Sequence, residues 1–107
     1  MAETTLTNAD AGRSVAINSG DTVVVRLEEN PGTAYLWKVE DVNSRVLELV
    51  SDEHEMAAGR GIGGGGERKL VFRAREAGTS PLRLKCVRQW EPENPSNTFS
   101  ATIQVHA

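Results

Sequence analysis

The chain holds a single cysteine, Cys86, among its 107 residues, so no internal disulfide can staple the fold. A domain this small must then rest on its apolar core, and it buries only about two-thirds of the surface its unfolded chain exposes. Aromatic residues are few: two Trp, one Tyr and two Phe. No apolar run is long enough to cross a bilayer as a helix. The first residues, Met1-Ala2-Glu3-Thr4-Thr5, are polar and acidic and have neither the basic nor the apolar region of a secretory leader. The expected location is the cytoplasm, or the periplasm or exterior if a leader was removed. A basic excess is missing too. Twelve Lys and Arg stand against 15 Asp and Glu, a net charge of −3 with the signs interspersed. That pattern excludes the basic footprint of a nucleic-acid binder and the polybasic segment that seeks an anionic membrane. Repeats, heptads and domain-splitting linkers are also absent. One domain over residues 1–107 is expected, with residues 1–12 as a loosely ordered N-terminal segment.

What is present is alternation. Val15 and Ile17 alternate with Ser14 and Ala16, Val23, Val25 and Leu27 with Val24, Arg26 and Glu28, and Tyr35, Trp37 and Val39 with Leu36, Lys38 and Glu40. The pattern returns in Leu70, Phe72 and Ala74, in Leu82, Leu84 and Cys86, and in Phe99, Ala101, Ile103 and Val105. A period of two means one buried and one wet face, the signature of antiparallel strands. Turn-forming clusters separate the runs: Asn18-Ser19-Gly20-Asp21, Asn30-Pro31-Gly32, Glu76-Ala77-Gly78-Thr79 and Glu91-Pro92-Glu93-Asn94-Pro95. Six to eight short strands at this spacing predict an all-β sandwich. Residues 44–58 fit both a helical stripe and a strand, and a strand is expected there. Trp37, among inward Leu and Val, is expected to pack in the core.

Three connections stand out. Asn30-Pro31-Gly32-Thr33 reads as a type II turn, with Pro fixing φ at the second position and Gly accepting positive φ at the third. Six of the ten glycines fall between Gly59 and Gly66. Such a run is either a floppy connector or a place where another surface approaches the backbone closely. It is not a phosphate cradle, because Glu67-Arg68-Lys69 and an alternating strand follow it where a P-loop needs Lys-Ser/Thr and a helix. Arg88-Gln89-Trp90 follows Cys86 on the inward parity. A buried Arg without a partner is disfavoured. The strand should therefore end near Val87 and leave Arg88 and Trp90 at a tip, a pairing common in protein-binding hot spots.

These three segments, in this order, resemble the chagasin-like inhibitors of papain-family cysteine proteases. That family carries Asn-Pro-Thr-Thr-Gly, Gly-x-Gly-Gly and Arg-Pro-Trp on the loops of an immunoglobulin-like sandwich. The matching positions here are Asn30, Pro31, Gly32, Thr33 and Ala34, then Gly61, Ile62, Gly63 and Gly64, then Arg88, Gln89 and Trp90. The resemblance runs from about Val15 to Val105. It implies an antiparallel immunoglobulin-like sandwich with the binding loops at one end. It also implies a reversible, non-covalent inhibitor that wedges these loops into a protease groove, with a papain-family cysteine protease as partner. The first loop would cover the protease's catalytic Cys and His, with Thr33 near the imidazole. Gly63 and Gly64 would pair with the groove wall, Trp90 would lie on an apolar ledge, and Arg88 would reach an acidic or carbonyl group. Three substitutions depart from the family pattern: Gly32 for Thr, Ala34 for Gly and Gln89 for Pro. With glycine moved from 34 to 32, the turn is expected to relax onto Pro31-Gly32.

Two other functional classes are possible for such a chain. An enzyme would need Cys86 as a thiolate beside a His, yet alternation points Cys86 inward as a structural thiol. Glu53-His54-Glu55 has no second ligand at metal spacing and reads as a solvated charged loop. No cofactor or metal is therefore expected. An immunoglobulin-like protein- or carbohydrate-binding module without inhibitory activity stays open as the alternative. Lys and Arg facing outward on the strands argue against sheet-to-sheet pairing, so a monomer is expected.

Overall fold

The alternating runs resolve into eight strands in the computed structural model, which describes residues 2–29, 34–56, 66–91 and 93–107. The strands are β1 (Glu3–Thr7), β2 (Ser14–Asn18), β3 (Thr22–Glu29), β4 (Leu36–Val42), β5 (Leu47–Met56), β6 (Gly66–Ala74), β7 (Gly78–Val87) and β8 (Asn97–His106). They form two four-stranded sheets, ordered β1-β3-β6-β5 and β2-β8-β7-β4. Inward residues of both sheets meet in one core. Val23, Val25, Leu27, Leu70 and Phe72 come from the first, and Leu82, Leu84, Phe99 and Ile103 from the second. The buried residues of β6 and β8 follow the predicted parity, as a sheet with one wet face requires, and those of β3 and β7 do so apart from Val24 and Val87, which are buried as well.

Four strand pairs are antiparallel, as expected: β3–β6, β5–β6, β4–β7 and β7–β8. The pairs β1–β3 and β2–β8 are parallel instead. The N-terminal residues, expected to be loosely ordered, supply the edge strand β1, and Leu6 is fully buried in the core. Backbone and side-chain bonds hold this segment. Thr22 N donates to Ala2 O at 3.0 Å, Ala2 N donates to Asp21 Oδ1 at 3.1 Å, and Asn8 Oδ1 accepts from Glu28 N at 3.0 Å. Its short run of alternation, only Leu6 among threonines, is too weak to read as a strand. Residues 47–56 do form a strand, with Val46 and Leu47 buried. A register shift between Leu49 and Ser51 turns Leu49 and Val50 outward. No helix among the described residues is long and apolar enough to cross a membrane.

The topology brings three connections to one end of the sandwich. β3 leaves at Glu29 and β4 returns at Leu36, β5 leaves at Met56 and β6 returns at Gly66, and β7 leaves at Val87 and β8 returns at Asn97. Gly66 shows why a glycine closes the run that precedes it. It lies between Met56 of β5 and Glu29 of β3, and a Cβ there would collide with the Glu55 carbonyl oxygen.

Candidate functional site

β7 ends because its ladders run out. Its last partners are Asn97 for Cys86 and Leu36 for Val87, and both Cys86 and Val87 are buried, so the alternation breaks at this point. The chain then makes a tight turn. Glu91 N donates to Arg88 O at 3.0 Å, which places Gln89 and Trp90 at the two central positions. Gln89 holds the position that favours proline in such turns, and the turn closes without it. A second turn, Asn94 N to Glu91 O at 3.2 Å, and the bond Ser96 N to Cys86 O at 2.9 Å bring the chain back to β8. Trp90 stands at the tip with 67% of its surface exposed, the most exposed large apolar side chain among the described residues.

Arg88 is not extended from this tip. Its guanidinium lies over the Tyr35 ring at 4.4 Å and 6.0 Å from the Trp90 ring, and Nη1 pairs with Glu91 at 3.6 Å. A cation over an aromatic face is attracted by the ring quadrupole. Tyr35 immediately follows Ala34, so this contact ties the third connection to the first.

Of the first connection's predicted residues, the described one is Ala34; Asn30, Pro31, Gly32 and Thr33 lie outside the described residues. Ala34 has φ 65, the one non-glycine positive φ among the described residues. The expectation that position 34 would relax is therefore corrected: alanine is held in the conformation where the family motif carries glycine. Left-handed backbone costs an L-residue about 1–2 kcal/mol, because Cβ crowds the carbonyl. Ala34→Gly should relieve that cost against the extra entropy of an unfolded glycine, for a net gain of about 0.5–1 kcal/mol. The check is urea unfolding, with the midpoint rising at an unchanged slope.

Beneath the first and second connections sits a buried ionic cluster that the sequence reading missed. Glu29 closes β3 with its carboxylate fully buried. Oε2 accepts from Trp37 N at 2.8 Å, and Oε1 accepts from Arg68 Nη2 at 2.9 Å and meets His54 Nδ1 at 2.7 Å. Arg68 Nε lies 3.1 Å from both carboxylate oxygens, and its Nη1 reaches Asp52 at 3.1 Å. Burial pushes the Glu29 carboxyl up, but the bonds from Arg68, Trp37 N and His54 outweigh it and hold the acid below the usual carboxylate range. Next to it, Trp37 is 2% exposed, and its Nε1 donates to Glu28 O at 2.8 Å. Glu53-His54-Glu55 is thus part of β5 and not a solvated loop. The signal was in the parity. Glu29 continues the inward series Val23, Val25, Leu27, and Arg68 precedes the inward series Leu70, Phe72, Ala74.

Gly61, Ile62, Gly63 and Gly64 lie outside the described residues. Cys86 is buried, and burial pushes its thiol pKa up, the wrong direction for a nucleophile. No group of three or more His, Cys, Asp or Glu able to hold a metal occurs among the described residues.

A sequence profile described as Chagasin family peptidase inhibitor I42 matches residues 16–105. Amoebiasin-1 of Entamoeba histolytica is 28% identical over 102 residues, covering 94% of this chain and 97% of that protein. The cysteine protease inhibitor EhICP2 of Entamoeba histolytica, a crystal structure, superposes with a TM-score of 0.91 at 22% identity, covering 99% of this chain and 97% of that one. The Leishmania mexicana ICP structure shares the fold with a TM-score of 0.67 at 24% identity, covering 91% of this chain and 90% of that one.

Proposed function

The chain belongs to the chagasin family of peptidase inhibitors, and on that premise we propose that it blocks papain-type cysteine proteases reversibly, by seating the three-connection end of its sandwich in the active-site groove. The family is one of inhibitors and not of enzymes, which decides against the plain binding module left open by the sequence. The observation that carries the reading is Trp90. A large indole stands exposed at the tip of a closed turn, on the same end as the first and second connections. Aromatic side chains of this kind are the usual anchors of protein interfaces.

The mechanism needs no bond to the protease. The chain's one thiol is buried. The first connection, Asn30 to Ala34, would lie over the catalytic Cys and His. A turn presents no extended carbonyl aligned for attack, so the thiolate is covered without being offered a substrate. Thr33 would hydrogen-bond near the imidazole. Gly63 and Gly64, having no side chain, would let main chain approach the groove wall. Trp90 would cover an apolar ledge. Such a complex would bury about 1,600 Å² in total. A rigid sandwich that fixes the strand ends flanking its loops suits this role.

Titrating papain with the protein in a fluorogenic assay tests the reading. Activity should fall stoichiometrically; papain that stays fully active at micromolar protein would contradict it.

A further inference from the structure

Two of the three connections share one internal anchor. The first leaves β3 and enters β4, and the second leaves β5 and enters β6. Each of these four strands contributes one group to a single carboxyl cluster. β3 supplies Glu29, the last residue before the first connection. β4 supplies the amide of Trp37, at 2.8 Å from Oε2. β5 supplies His54, at 2.7 Å from Oε1, and β6 supplies Arg68, at 2.9 Å through Nη2. The Trp37 bond also crosses between the two sheets, since β3 and β4 belong to different ones.

We propose that Glu29 is a positioning residue for inhibition: it holds the first and second connections in one fixed relation by binding a group from each strand that flanks them, and the affinity for the protease depends on it. This rests on the inhibitory reading above.

Stability alone does not account for a carboxylate here. Glu29 and Arg68 stand on inward-facing positions where apolar residues would pack, and replacing a buried ion pair by well-packed apolar side chains is often neutral or stabilising. What the carboxylate adds is direction. Apolar contacts tolerate sliding, whereas hydrogen bonds to both oxygens fix where each strand end sits. The arrangement is doubly secured, because Arg68 is itself held by Asp52 at 3.1 Å and the Trp37 indole is held by Glu28 O at 2.8 Å. Loops that leave fixed strand ends lose less entropy on binding.

The test is Glu29→Gln, which keeps the shape and one acceptor but removes the charge and sets an amide NH₂ against the cluster's donors. Inhibition of papain is measured at a temperature where unfolding curves show the variant native, together with amide exchange at the strand ends. The inhibition constant should rise tenfold or more. Exchange should quicken together at Tyr35, Trp37, Glu55 and Glu67, and stay unchanged at Gln89 and Glu91. A lower melting temperature with an unchanged inhibition constant would overturn the inference while leaving the inhibitory function standing. If the wild-type protein leaves papain active, that function fails, and exchange alone decides: quickening on both connections supports the anchor, and quickening confined to Trp37 refutes it. Should Glu29→Gln not fold, His54→Ala removes only the β5 contact. It should raise the inhibition constant about threefold and quicken exchange at Glu55; no change in either would overturn the inference.

Discussion

Replacing Trp90 by alanine should weaken inhibition of papain by about thirtyfold or more while leaving the melting temperature nearly unchanged. The two halves of that expectation have separate causes. Trp90 is 67% exposed, so its removal opens no cavity in the core. Arg88 keeps its place over Tyr35 at 4.4 Å, and the turn keeps its Glu91 N to Arg88 O bond, so the tip holds its shape. What is lost is the indole's burial against the protease. Truncating an aromatic hot spot costs about 2 kcal/mol or more, which is about thirtyfold in the inhibition constant. An unchanged constant would remove Trp90 from the interface.

The other tryptophan should behave in the opposite way. Trp37→Ala should destabilise the fold by about 3–5 kcal/mol, the usual cost of truncating a buried large aromatic. Trp37 is 2% exposed and packs between the sheets, and its loss also leaves Glu28 O without the indole donor at 2.8 Å. For a domain of this size the melting temperature should fall by about 12 °C or more. A fall of only a few degrees, measured by calorimetry, would mean that the indole does not hold the sheets together. Two residues of one type are thus placed oppositely: Trp90 stands exposed at the tip, and Trp37 supports the strand to which the first connection returns.

The structure links the three connections more closely than their separation in sequence implies. Arg88 over Tyr35 joins the third to the first, and Glu29 with His54 and Arg68 joins the first to the second. The strand ends that flank the three connections are therefore tied to one another.

The fold was legible because alternation is a physical requirement of a sheet with one wet face. Leu70, Phe72, Leu82, Leu84, Phe99 and Ile103 all lie where parity puts them. β1 was not legible, because Leu6 is its only fully buried side chain and its pairing with β3 depends on contacts distant in the chain. The turn at Arg88–Glu91 was legible from the improbability of a buried Arg, and the exposure of Trp90 follows from it. The Ala34 conformation runs against local preference. Local preference moves a positive φ to the nearest glycine, yet position 34 keeps it and accepts the strain. The ionic cluster was not legible, because charged side chains ordinarily belong to the surface. Glu29 and Arg68 share inward parity on adjacent strands, and two opposite charges so placed are the one sequence signal of the pair.

The central claim is that this one end of the sandwich is the inhibitory face. Amide exchange of the protein with and without papain locates that face directly. Protection should appear at residues 34–37 and 88–91, with residues 18–21, 43–46 and 75–78 at the opposite end unchanged. Protection at the opposite end, with none at Ala34 or Trp90, would contradict the account.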